Sequence, residues 1–289
     1  MTPRIMAFGA LAVCLALPAF GDEPDAGVYH VYRPKLRVPA PPPAAATMLY
    51  YAGPVISSVK LAVVFWGAGV PKTTTTRIGP FFSALVNSTY VDQLAQYDTH
   101  ITGVNGKKGT DQSIVRGSYL GAFRITPADT AKTLTDAAVQ KEVKAQITAG
   151  ALPAADTDTL YMIYFPSNIT ITLDGMTSCV DFGAYHEARY GKITDKNIFY
   201  GVVPECGGGF SAITFASSHE FAEAVSDAIP TPGSHPKYPQ AWNTSDGYEI
   251  ADLCEGDSTT LTAAGKTYVI TEVFDNARNA CATGKFTSP

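Results

Sequence analysis

Two runs of the chain are apolar at nearly every position and too short for buried helices. Val59 to Gly67 is rich in β-branched and aromatic residues and stops at glycine, and Leu160 to Phe165 stops at Pro166. Such runs read as buried strands. Val180 to His186 and Asn197 to Val203 read as further strands, and Lys266 to Phe274 as the last one. Tyr97 to Val104 and Tyr119 to Ile125 are weaker candidates around a Gly- and Lys-rich turn at 105–109. Elsewhere the apolar period lengthens to that of a helix. Residues 74–95 put Ile78, Phe81, Phe82, Leu85 and Val86 on one side. A second helix begins at Thr126-Pro127-Ala128-Asp129, carries Leu134, Ala138, Val143 and Ile147, and stops near Ala149 before Gly150. Helices and strands alternate first, and strands cluster later. This predicts an α/β or α+β fold: one domain over residues 47–289, with a central mixed sheet.

The ends and the composition narrow the setting. Arg4, the apolar run Ile5 to Phe20 and the small-x-small site Ala19-Phe20-Gly21 make residues 1–21 read as a secretory signal. The run is short for a membrane span and is broken by Pro18, so no stable membrane insertion is expected. Residues 22–46 hold six prolines and several alanines and read as a linker or arm. The net charge of −5 comes without a basic stripe, which argues against nucleic acid as a partner. Losing the signal removes Cys14 and leaves Cys179, Cys206, Cys254 and Cys281. An even number in an exported chain suggests two disulfides. Pairing Cys179 with Cys206 and Cys254 with Cys281 closes the shortest loops. A zinc site built from all four lacks any C-x-x-C spacing.

The chemistry concentrates in Ser217-Ser218-His219-Glu220-Phe221-Ala222-Glu223. On a helix, His219 and Glu223 stack one turn apart and can share a metal ion, with Glu220 beside them. Glu249 or Asp252 supplies a further carboxylate, leaving one position for water. Glu220 is then placed to take a proton from that water as general base. Zinc is the first expectation. The carboxylate-rich ligand set makes manganese or calcium less unfavourable than usual. The plainer alternative is a capping box, in which Glu220 folds back onto Ser217 at a helix start. The apolar run from Phe210 to Ala216 argues for an earlier start. His186 is a reserve ligand or a buried hydrogen-bonded histidine. His235 reads as a loop residue. Trp242 lines a cleft or packs over the helix. No G-x-S-x-G elbow and no phosphate loop is present. Glu220 with Glu249 as a carboxylate pair for sugar hydrolysis is a further option.

Two resemblances follow from these residues. His219-Glu220-x-x-Glu223-Ala224-Val225-Ser226, then Ala241-Trp242, then Glu249-Ile250-x-Asp252-Leu253-Cys254-Glu255-Gly256, with a late Cys281, resembles the phosphate-induced, EXORDIUM-like secreted proteins. That resemblance implies an extracellular or cell-wall role and a cell-wall component as partner, without a defined reaction. The H-E-x-x-E helix with its downstream acidic pair is similar to the active-site helix of thermolysin-like zinc peptidases. It differs in having Glu223 for the second histidine and an acidic pair one residue closer. This second resemblance implies a zincin-like domain and peptide substrates.

Overall fold

In the computed structural model, five strands form the central sheet, and alternation along them builds two cores. The structure describes residues 46–189, 197–230 and 236–289. The strands are β1 (Ser58–Trp66), β2 (Val115–Ile125), β3 (Thr159–Phe165), β4 (Tyr185–Arg189) and β5 (Ile198–Pro204), in the order β2-β1-β3-β5-β4. All pairings are parallel except the last, where β4 runs antiparallel to β5. Leu61, Val63 and Phe65 of β1, with Leu160, Met162 and Tyr164 of β3, face one core. Ala62, Val64 and Trp66, with Tyr161, Ile163 and Phe165, face the other. Burial on both faces is why these strands read as continuous apolar runs. Edge strand β2 instead alternates exposed and half-buried positions.

The first core is covered by α1 (Lys72–Leu85), α2 (Thr89–Leu94) and α4 (Gly209–Ser226); the second by α3 (Asp136–Thr148). Beyond α4 the chain makes a smaller sheet, β6 (Ser258–Ala263), β7 (Lys266–Thr271) and β8 (Lys285–Thr287), in the order β7-β6-β8. The result is a mixed α/β protein with several sheets and, among the described residues, four α-helices.

Several sequence expectations need correction. The helix expected over 74–95 is two helices, because Ser88 leaves the helical path and its hydroxyl caps α2 by accepting from the Tyr90 N–H at 3.3 Å. Tyr97 to Val104 forms no strand. It turns back on itself, with an isolated bridge from Thr102 to Lys108 and backbone hydrogen bonds such as Thr99 N–H to the Gln112 carbonyl at 2.9 Å. The helix expected from Thr126 begins at Asp136, where Thr135 caps it by accepting from Ala138 N–H. Residues 133–135 pair as a short strand instead. The strand expected over 180–186 is displaced to Tyr185–Arg189, because a turn at 177–181 takes up the preceding backbone. The α4 helix stops at Ser226, not near Ile229. Strand β7 ends at Thr271, and it is not the last, since β8 follows. The signal at 1–21, the arm at 22–46 apart from Ala46, and His235 lie outside the described residues.

Candidate metal centre

Helix α4 is central to the site and is buried on every side from Ile213 to Ser226. Three successive glycines with positive φ (Gly207 +89°, Gly208 +75°, Gly209 +72°) turn the chain from β5 into it. Only glycine adopts this conformation without a steric penalty. The start at Gly209 places Ser217 and Glu220 mid-helix, so they form no capping box. Ser217 Oγ instead meets Tyr164 Oη on β3 at 2.7 Å. On the opposite side Thr214 donates to the Val269 carbonyl at 2.6 Å, and Ser218 accepts from Thr271 N–H at 2.9 Å. The helix is thus tied to both sheets, and its small hydroxyl residues allow the close approach.

Gly201 brings the site together. It sits in β5 facing α4, and a Cβ there would fall 3.7 Å from the Cβ of Glu220 and 2.6 Å from Met162 Sδ. In the antiparallel register, His186 of β4 is its direct partner. Directly opposed residues project to the same face. His186 therefore reaches over the gap at Gly201 towards α4. Its Nδ1 lies 3.3 Å from Glu220 Oε2 and 3.8 Å from Glu223 Oε2. Its Nε2 lies 3.3 Å from the Asp227 carbonyl and 3.4 Å from Glu249 Oε1. A carbonyl can only accept, so Nε2 carries the proton.

His219 and Glu223 meet as their spacing requires, with Nε2 to Oε1 at 3.2 Å. The acidic pair downstream then divides. Asp252 Oδ1 stands 3.6 Å from His219 Nε2, while Glu249 turns to His186. The short 3-10 turn at Asp252–Cys254 explains the division. At its first residue, Asp252 Oδ2 accepts from Glu249 N–H at 2.9 Å, and the Asp252 N–H donates to Glu223 Oε1 at 3.1 Å. Two groups of ligand-type atoms result, each within 4.8 Å: His219, Glu223 and Asp252, and His186, Glu220 and Glu223. The six side chains, Glu249 included, are only 2 to 8 % exposed.

Burial alone would push both histidines down, but the carboxylates outweigh it. Glu249, Glu220 and Glu223 carry His186 up to about 10, and Glu223 with Glu220 raises His219. Burial pushes the Glu220 carboxyl up, and the His186 hydrogen bond offsets only part of that. His219 Nδ1 is buried and makes no hydrogen bond to any described residue.

Two participants carry no site signal in the sequence, and a third, His186, is there only a reserve ligand. Asp227 fixes the loop after α4, accepting from Ala241 N–H at 2.7 Å and Asn243 Nδ2 at 2.6 Å. Tyr90 of α2 is fully buried. Its hydroxyl is pushed well up, first by burial and then by Glu223 and Glu272. No local pattern marks it. Trp242 is buried and packs against Tyr50 and Tyr97 at centroid distances of 5.2 and 5.4 Å.

Disulfides Cys179–Cys206 and Cys254–Cys281 are both formed, each across 27 residues. The second fastens the turn that carries Asp252. Cross-linking a loop of this length restricts the unfolded chain by about 3–4 kcal/mol. A Cys254→Ser/Cys281→Ser variant is expected to lose that much in urea unfolding. An unchanged midpoint would count against an anchoring role.

Comparison with protein-family models, with curated proteins and with solved structures gives no match.

Proposed function

We propose that the protein is an exported, zincin-like metal-dependent hydrolase acting on peptide bonds, with its metal held by His219, Glu223 and Asp252. One observation carries the reading: the spacing of these donor atoms. Donors sharing an ion at bonds of about 2.1 Å and tetrahedral angles stand about 3.4 Å apart. Asp252 and Glu223 stand 3.6 and 3.2 Å from His219 Nε2. One imidazole with two carboxylates suits zinc, and manganese next. The exported part of the reading is supported by two disulfides, which fit an oxidising compartment. Among the described residues, no helix is long and apolar enough to cross a membrane.

When bound, such an ion acidifies water and polarises a carbonyl. Glu220, one residue along the helix, is the proton acceptor in this scheme. Its raised affinity for a proton suits that work. His186 holds the Glu220 carboxylate at 3.3 Å, and the His186 Nε2–H is anchored on the Asp227 carbonyl. Glu249 keeps His186 in place from the other side.

Burial favours a second reading, a non-catalytic extracellular or cell-wall binding protein in which the same ion is a structural staple. It accords with the resemblance to EXORDIUM-like secreted proteins. One pair of measurements decides. Purified full-length protein is expected to hold at least one equivalent of a divalent ion, lost in a His219→Ala/Glu223→Ala variant. Glu220→Gln is expected to keep the ion at His219 and lower turnover of an unfolded protein substrate about a hundredfold or more. Bound metal with no turnover in the parent selects the staple. Absence of metal after challenge with zinc, manganese and calcium sinks both.

A further inference from the structure

The second cluster of donors, on the other side of Glu223, is the strongest remaining feature of the molecule. Glu223 divides its two oxygens: Oε1 faces His219 Nε2 at 3.2 Å, and Oε2 faces His186 Nδ1 at 3.8 Å. Glu220 Oε2 lies 3.3 Å from the same Nδ1. These distances again bracket the separation of about 3.4 Å for donors on one ion. From the geometry of His186, Glu220 and Glu223 we infer a second divalent-cation site, joined to the first by a bridging Glu223 carboxylate. The inference rests on the metal reading above for its first ion and adds the second.

An independent observation supports His186 as a ligand. Histidines that bind metal donate their other ring N–H to a carbonyl or carboxylate, which fixes the tautomer. The His186 Nε2–H donates to the Asp227 carbonyl at 3.3 Å, and Glu249 Oε1 stands 3.4 Å from the same nitrogen, within ion-pair reach. Nδ1 is then the nitrogen that ligates, and it is the one turned towards Glu220 and Glu223. Backbone geometry holds it there, because the antiparallel register sets His186 opposite Gly201. Two ions bridged by one carboxylate stand about 3.5–4 Å apart, the spacing of two-metal hydrolytic sites. Glu220 needs only one oxygen for the second ion, which leaves the other to accept a proton. The ligand class is a pair of borderline divalent cations such as zinc or manganese, each with one imidazole and shared carboxylates.

Stoichiometry tests this on the full chain, stripped by chelator and reloaded separately with zinc and with manganese. Two equivalents are expected in the parent and one in His186→Ala, with circular dichroism checking that the variant folds. Glu220→Gln, which keeps the size of the side chain, is also expected to fall to one equivalent. Should His186→Ala fail to fold, this second variant decides. Paramagnetic resonance of the manganese-loaded parent is expected to show two exchange-coupled ions. One equivalent in the parent, unchanged by either substitution, overturns the second site and leaves the first standing. Two equivalents with magnetically isolated spectra overturn the Glu223 bridge. No bound ion at all removes both the inference and the reading beneath it.

Discussion

Held metal-free by chelator, the protein is expected to lose stability between about pH 6.5 and pH 10, its thermal midpoint falling by roughly 10–15 °C. The cause is His186. It is buried, and around it stand Glu220 and Glu223 from α4, Glu249 from the loop before Asp252, and the Asp227 carbonyl. In the folded chain these groups hold its proton up to about pH 10, against an ordinary 6.5. Below pH 6.5 the imidazole is protonated whether folded or not, so its ion pairs contribute in full. Between the two values the unfolded chain releases the proton and the folded chain keeps it. The folded state then binds more protons, and stability falls as pH rises. Above about 10 the contribution is gone. The separation corresponds to roughly 4–5 kcal/mol. Glu220 works in the same direction, since its folded carboxyl also holds a proton more tightly than the unfolded one. Melting curves in chelator across this range, parent beside His186→Gln, make the test. A parent as flat as the variant would show that His186 is not charged in the folded protein.

What could be read from the sequence, and what could not, follows the range of the interactions. Strands β1, β3 and β5 announce themselves because burial on both faces leaves few polar positions, and those only near the start of the run, such as Lys60 and Thr159. The meeting of His219 with Glu223 is a local consequence of helix pitch and needs no tertiary knowledge. His186 is different. It joins the site because β4 pairs antiparallel with β5 in the register that sets it against Gly201, 15 residues further along the chain. Neither the strand order nor that register is encoded within a window of local pattern. The choice between Glu249 and Asp252 was also hidden, since it depends on a three-residue turn that rotates one towards His219 and the other towards His186. The misplaced helix start at Thr126 had a plain cause. Thr126-Pro127-Ala128-Asp129 has good start chemistry, but residues 133–135 are taken by pairing with 170–172. Tertiary pairing outweighed the local signal.

Adding zinc or manganese to the chelator-treated protein is expected to reverse the alkaline loss, and Glu223→Gln is expected to remove that response. An ion present at a thousand times its dissociation constant stabilises the folded state by about 4 kcal/mol. For a chain of this size, that is a rise in midpoint of roughly 10 °C for each ion. Glu223 is the residue to change because both donor groups include it. Glutamine keeps its volume and one acceptor oxygen, so the Asp252 N–H, 3.1 Å from Oε1, still has a partner and the turn has no reason to collapse. What glutamine lacks is the second anionic oxygen and the charge that draws a cation. The pH dependence separates this response from general salt effects. A histidine must shed its proton to ligate, so ion binding strengthens as pH rises. The metal-free protein weakens over the same range, so the loaded and chelated curves are expected to spread apart towards pH 9. An ion bound to surface carboxylates would give no such spread, and it would stabilise Glu223→Gln as much as the parent. That result would place the cation elsewhere on the chain and leave the buried histidines and carboxylates as a polar core held together by protons.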